Sequence, residues 1–289
     1  MVSKKKTTKI FLWYLLVILI SMTTVLPFLW TIATSFKSDS EILSGSMSFI
    51  PKHFTLDHYK EVFLTMPFLS YLKNSLILAL GGVLTNLFFG SLAGYSFGQL
   101  KFKGKKVLFL IFLASMMIPS IVTMIPTFIV LRSFPLLGGN NLVGSGGLGL
   151  INTYWAILLP GAAGAFSIFF MKQFFEQLPH ELGESARIDG ASEFKIFLKV
   201  YFPLAKPALT TLGIMTFQAG WNAFMWPLIV LNAEEMKTVQ VGLAAFQYNY
   251  STNYGPLMAG TILATLPVLV LFIFVQKNYV QGLAEAGIK

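Results

Sequence analysis

The 289-residue sequence contains no cysteine. That excludes disulfides, thiolate metal sites and a cysteine nucleophile. Three histidines, His53, His58 and His180, are too few and too scattered for a zinc site. Charge is also scarce. Only 11% of residues are Asp, Glu, Lys or Arg, against about 25% in soluble domains, so the chain cannot solvate a globular surface. Acidic residues number 12 against 21 basic ones. No GxxxxGK[ST] run occurs, so the loop that cradles ATP phosphates is missing. No G-x-S-x-G elbow occurs either.

What is present is apolar. Hydrophobic residues make up 55% of the chain, including 28 Phe, and the mean hydropathy is +0.70. That content excludes disorder, because so much aromatic surface demands burial. The sequence therefore predicts an all-α, polytopic membrane protein. The net charge of +9 fits membrane orientation better than nucleic-acid binding, and no nucleic-acid partner is expected.

A helix needs about 20 apolar residues to cross the hydrocarbon core. Charge-free stretches run over 10–36, 74–100, 107–131, 133–171, 207–233 and 238–276. The fourth opens with a Gly-rich run, read as a flexible loop, so its helix is placed at about 151–171. The sixth opens with a segment rich in Gln, Asn, Ser and Tyr, so its helix is placed from about Gly255. Six transmembrane helices result. The basic start and first apolar run resemble a signal peptide, but the run is too long and no small-residue cleavage site follows. With the N-terminus inside, the inner segments hold 15 Lys and Arg. The outer ones hold four, Lys37, Lys52, Lys60 and Lys237. Both termini are therefore expected in the cytoplasm.

The chain divides accordingly. Residues 1–35 form a cytoplasmic tail and the first helix, and 36–72 form an extracellular loop. Residues 73–276 form a core transmembrane domain with a cytoplasmic loop at 177–207, and 277–289 form a cytoplasmic tail. All six cores lack Asp, Glu, Lys and Arg, whereas ion-coupled carriers usually keep ionisable groups at membrane depth.

The segment Lys172 to Lys206 carries five basic and five acidic residues. Pro179 can start a helix, and Glu181 and Glu184 suit its first turns. Gly190 is placed to end it in a left-handed turn. A second run follows, with Phe194, Phe197, Leu198 and Tyr201 on one face, and Pro203 and Pro207 mark the entry to the fifth span. Such a hairpin can project a knob into a partner's groove, and Ala186 and Ala191 would let that groove approach closely. The same spacing also fits an amphipathic connector lying on the lipid surface.

Glu184-Ser185-Ala186, Asp189-Gly190-Ala191, Phe197, Pro203 and Pro207 together resemble the EAA motif of ABC importer permeases, EAAxxDGAxxxxxFxxxxxPxxxP. Ser185 stands where the family usually has Ala. The wording is similar to the carbohydrate-uptake branch and its smaller permease subunits. The resemblance extends to Gly149–Ala156, to Trp221-Asn222 with Trp226-Pro227-Leu228, to Thr238–Leu243 and to the tail Gly282–Lys289. Glu285 and Ala286 are unusual in that tail.

The resemblance implies a type I ABC importer permease fold and a chain that forms half of a sugar pathway. It implies four kinds of neighbour: a second homologous permease, an ABC ATPase dimer, an extracellular solute-binding (lipo)protein and membrane lipid. It implies that Glu184, Ser185, Ala186, Asp189, Gly190 and Ala191 couple to the ATPase. No cofactor or metal is expected in this chain, because ATP and Mg would be bound by the ATPase, and the subunit is not expected to be an enzyme. The membrane would be the bacterial cytoplasmic (inner) membrane.

A sugar path needs neutral polar groups and aromatic faces. Gln218, Trp221, Asn222 and Trp226 supply them on the fifth span, with Gln218 and Asn222 four apart on one face. The same amides could instead hold helices together. A permease for a polyol or glycerol phosphate remains open, as does an ion-coupled carrier.

Overall fold

The computed structural model describes residues 4–45, 47–247 and 252–287. Helix is the only extended regular element among them. The chain opens with α1 (Lys4–Ser35), α2 (Asp39–Leu43) and α3 (Asp57–Thr65). Next, α4 (Phe68–Thr85) passes through one π turn (Asn86–Gly90) into α5 (Ser91–Gln99). Then come α6 (Lys105–Met116), α7 (Ser120–Arg132), α8 (Trp155–Leu158), α9 (Ala165–Phe175), α10 (Glu181–Ile188) and α11 (Glu193–Ile196). A second π turn (Phe197–Tyr201) leads to α12 (Phe202–Leu204), α13 (Lys206–Trp221), α14 (Met225–Val230), α15 (Val239–Leu243) and α16 (Tyr254–Gly287). Two compact units form. One is Met1–Phe68 with Gly242–Pro267, and the other is Leu69–Val241 with Val268–Lys289.

Three helices are long and apolar enough to cross a membrane: Lys9–Ser35, Phe68–Gln99 and Tyr254–Phe274. They match the first, second and sixth expected spans. The last helix runs on to Gly287, so most of the expected tail 277–289 is helical. Ile288 and Lys289 of that tail, and residues 248–251 of the last outer segment, lie outside the described residues.

The other three expected spans are not single helices, and proline explains each break. The third, 107–131, is α6 and α7 bent by 104°. Pro119 sits at the bend with ψ 131°, and the residue before a proline avoids helical geometry. In the fourth, 151–171, Pro160 and Gly161 separate α8 from α9. In the fifth, 207–233, α13 stops at Trp221 and α14 starts at Met225. Pro227 cannot continue a helix through Ala223, because its ring would meet that carbonyl and it has no N–H to give.

In the first unit, the segment that follows α1 is tied down by side chains. The Glu41 carboxylate accepts from Lys52 N at 3.0 Å and His53 N at 3.4 Å. Buried His58 meets Lys37 O at 2.7 Å, and Asn253 donates to Glu61 at 2.9 Å. From Ile10 to Leu29 the apolar side chains of α1 stand exposed, as a helix immersed in lipid requires.

In the second unit, α5 and α9 pack closely. A Cβ on Gly94 would lie 2.6 Å from Met171 Cβ, and one on Gly90 or Gly98 would lie 2.8 Å from Ser167 Cβ or 3.0 Å from Phe175 Cβ. Glycines four apart let two backbones approach, and van der Waals contact, not water exclusion, then holds the helices together in lipid. The Gly-rich run, expected as a flexible loop, is instead a tight knot. Asn140 donates to Arg132 O at 2.7 Å and accepts from Gly147 N at 2.7 Å. A Cβ on Gly147 would fall 2.1 Å from Gly138 O.

Candidate functional site

All of the site's geometry lies in the second unit. The connection between α9 and α13 folds as a helical hairpin. α10 ends in a Schellman turn: Ala191 N donates to Ala186 O and Gly190 N to Arg187 O, each at 3.0 Å. Gly190 takes φ +79°, the left-handed region that a Cβ penalises. Ser192 is extended, and α11 begins with Glu193 in its first turn, where an acid suits the helix dipole.

Beneath the hairpin lies an aromatic core. Tyr95, Phe175, Phe197 and Tyr201 are all buried, with Met171, Ile196, Ala205 and Leu212 around them. Tyr95 meets Tyr201 at 5.1 Å between ring centroids and Phe197 at 5.5 Å. Gly183 of α10 is buried on Tyr201, whose hydroxyl would lie 3.0 Å from an added Cβ. The inner side of α10 therefore rests directly on this core.

Polar bonds join the same parts. The Arg187 guanidinium donates to both Glu193 oxygens. The Tyr95 hydroxyl donates to Glu193 Oε2 at 2.9 Å. Gln99, at the end of α5, donates to Leu178 O at 3.0 Å and to Phe175 O. The Tyr201 hydroxyl shares its donation between Gln99 Oε1 at 3.0 Å and Pro179 O at 3.1 Å. The Arg187 hydrogen bonds hold the Glu193 carboxyl below its ordinary range. Tyr95 adds to that effect, and partial burial opposes it. Burial pushes the Tyr201 hydroxyl up, so it remains a donor.

The outer side of α10 is unpartnered. Glu184 and Asp189 are exposed and make no ion pair among the described residues. Ile188 is 86% exposed. Ser185 is exposed and bonds back to Glu181 O at 2.9 Å. Ala186 and Ala191, expected to admit a groove from outside, are half-buried and also touch the aromatic core. The hairpin thus presents Glu184, Ser185, Ile188, Asp189 and Gly190 together. A cleft lined by His180, Glu184, Arg187, Glu193 and Lys101 together with apolar Leu100 and Phe102 opens beside them, with a volume of about 490 Å³.

The four fifth-span residues separate into two pairs. Gln218 and Asn222 are exposed. Gln218 lines a groove of about 260 Å³ with Met215, Phe217, Val268, Phe272 and Gln276. Trp221 is 2% exposed and stacks on Phe217 at 5.7 Å. Trp226 is half-buried, and its indole N–H donates to Ala156 O at 3.1 Å. Both tryptophans are thus packing groups, while the two amides face outward.

Sequence reasoning missed Tyr95, Gln99, Glu193 and Gly183. Only the glycine spacing at 90, 94 and 98, which marks where α5 meets α9, was open to reading.

Comparison with known proteins places this arrangement. A sequence family described as "Binding-protein-dependent transport system inner membrane component" matches residues 86–285. The arabinooligosaccharides transport system permease protein AraQ of Halalkalibacterium halodurans is 34% identical, over 99% of this chain and 99% of that protein. The lactose transport system permease protein LacG of Rhizobium radiobacter is 33% identical over 93% of each. A chain from the crystal structure of a bacterial ABC transporter involved in the import of the acidic polysaccharide alginate superposes with a TM-score of 0.80. It is 25% identical, over 96% of this chain and 98% of that one.

Proposed function

Because the chain belongs to the family of binding-protein-dependent transport system inner membrane components, we propose that it is the permease subunit of an ATP-driven oligosaccharide importer and that α10 is its coupling element. The observation that carries the coupling role is the two-sided character of α10. Its inner side is seated on Tyr201 through Gly183. Its outer side offers exposed Ile188 and unpaired Glu184 and Asp189. A helix anchored behind and bare in front transmits a push from outside. In this reading the pushing groove belongs to an ATPase partner, which binds ATP and Mg, since this chain has no phosphate loop.

The assembly has four further features. A second, homologous permease supplies the other half of the pathway. A solute-binding protein delivers the sugar outside. Six spans cross the cytoplasmic membrane, three of them as helix pairs broken at proline, with lipid around them and both termini inside. Relatives named for arabinooligosaccharide and lactose transport support a neutral oligosaccharide. The charge-free cores of this chain support the same substrate class and argue against an ion-coupled carrier.

The test is reconstitution of both permeases and the ATPase in vesicles, with the binding protein outside. Oligosaccharide uptake that requires ATP, and an ATPase that co-purifies with wild-type chain but not with Ile188→Asp, is the expected result. Uptake by this chain alone, driven by an ion gradient, would overturn it.

A further inference from the structure

We propose that Glu193 and Tyr95, backed by Gln99 and Tyr201, form a latch that ties the coupling hairpin to the second span, so that motion of α10 is passed into the membrane through α5. The proposal rests on the coupling role given to α10 above.

The latch has two fastenings, one at each end of α10. At the C-terminal end, Arg187 of α10 grips Glu193 of α11, and the Tyr95 hydroxyl of α5 holds Oε2 of the same carboxylate at 2.9 Å. At the N-terminal end, the Tyr201 hydroxyl sits between Pro179 O, just before α10, and Gln99 Oε1 of α5. Gln99 is held in turn by the carbonyls of Phe175 and Leu178. Every polar group of this set has a partner, and Tyr95, Gln99 and Tyr201 are buried. A satisfied buried network is stiff, because moving one member strands the others. Gly183 leaves no gap between α10 and Tyr201, so a displacement of the helix cannot be absorbed there.

The pairing is poorly explained as stabilisation alone. Arg187 and Glu193 are 39% and 46% exposed, and an exposed ion pair adds little to stability. What the pair does is place one carboxylate on both the coupling helix and the span. Both fastenings land on the last turns of α5, Tyr95 and Gln99 being four apart on one face. The span therefore receives force at one edge of its end, the arrangement a lever needs.

The experiment uses the full complex in vesicles and reads ATP hydrolysis and sugar uptake together. Tyr95→Phe and Glu193→Gln each remove or weaken one fastening. The expected result is a retained ATPase subunit and continuing hydrolysis, with uptake per ATP reduced about three- to tenfold. The double variant should be no worse than the worse single, since both act on one bond. Phe197→Leu is the control, because it loosens the same core without touching a polar bond; it should lower the melting temperature yet keep uptake per ATP. Unchanged uptake per ATP in both single variants overturns the latch. So does an equal loss in Phe197→Leu, which would make the role structural. Ile188→Asp separates this from failure of the coupling role itself: normal ATPase retention there sinks that role, whereas an Ile188→Asp defect beside silent latch variants sinks only the latch.

Discussion

Substitution at Gly190 tests the turn that shapes the proposed coupling element. Gly190 has φ +79°, and nothing lies within 4 Å of a Cβ built there. Added volume therefore meets no atom of this chain, and any intrinsic penalty is backbone strain. A left-handed residue with a Cβ loses roughly 1–2 kcal/mol, and a β-branched side chain sits at the upper end or beyond. Gly190→Val should thus favour an unwound α10 end by about 2 kcal/mol, roughly a thirtyfold shift. Asn tolerates the left-handed region, so Gly190→Asn should keep the turn while adding bulk outside. The pair separates two causes. Failure of Val alone indicts the turn, and failure of both indicts a partner's groove. The assay is ATPase retention during purification, followed by hydrolysis stimulated by sugar-loaded binding protein. Val should lose most of the stimulation while the protein still inserts, because no span is touched. Normal retention and stimulation in Gly190→Val would refute the reasoning.

Topology can be tested with single cysteines, since none exists. Positions 40, 145 and 192 are all exposed, so an impermeant thiol reagent on intact cells should label Ser40→Cys and Ser145→Cys but not Ser192→Cys. Gln218→Ala and Asn222→Ala should lower uptake several-fold with assembly unchanged, each losing a hydrogen-bonding group worth about 0.5–1.5 kcal/mol; matching losses of assembly and uptake would assign the amides to subunit contacts. Gly94→Ala should cost about 1–3 kcal/mol through overpacking against Met171, read as a lower melting temperature in detergent. Glu193 titrates below its ordinary range, so its contribution is complete above about pH 4.3 and is lost as pH falls through the lower folded value. The melting-temperature gap between wild type and Glu193→Gln should therefore hold steady from about pH 8 to about pH 5 and close only below about pH 4; a gap that narrows near neutrality contradicts the assigned shift.

Much of the hairpin between α9 and α13 was legible because it depends on local signals. The acids of the first turn and Gly190 sit where helix ends need them, while Pro179 stands just before the N-cap His180 rather than inside the first turn. The buried side of the hairpin was not legible. Tyr95 and Gln99 are about a hundred residues from Glu193 and Tyr201, and they lie inside a span that reads as plain apolar helix. Nothing in their neighbours marks them as partners of a distant loop. The inner contacts of Ala186 and Ala191 were hidden for a related reason. Small residues suit either an outer groove or an inner close approach, and sequence spacing does not choose between them. Trp221 and Trp226 likewise looked like ring-stacking surfaces, while their burial against Phe217 and Ala156 depends on contacts that sequence does not display.

The breaks within the expected third, fourth and fifth spans show why an apolar run in the sequence is not the same as one helix: three single helices and one bent pair are long and apolar enough to cross a membrane. A helix interrupted in hydrocarbon exposes N–H and C=O groups that lipid cannot satisfy. At one of these breaks, and at the end of α14, asparagines take that load. At the break before α9, Asn86 donates to Gly161 O at 2.7 Å and accepts from Gly164 N at 3.1 Å and from the Ser167 hydroxyl at 2.7 Å. Beyond α14, Asn152 accepts from Asn232 N at 2.6 Å and from Ala233 N at 2.9 Å. Each is a buried or half-buried amide from a different segment. An amide carries both donors and an acceptor, so one side chain can replace the bonds that a proline removes on both sides of a gap. Charge-free spans can therefore bend and stop without an ionisable group at membrane depth. In the proposed importer, the irregular backbone at these breaks and the exposed amides Gln218 and Asn222, rather than buried charge, are the polar material from which a path for a neutral, hydroxyl-rich solute can be made.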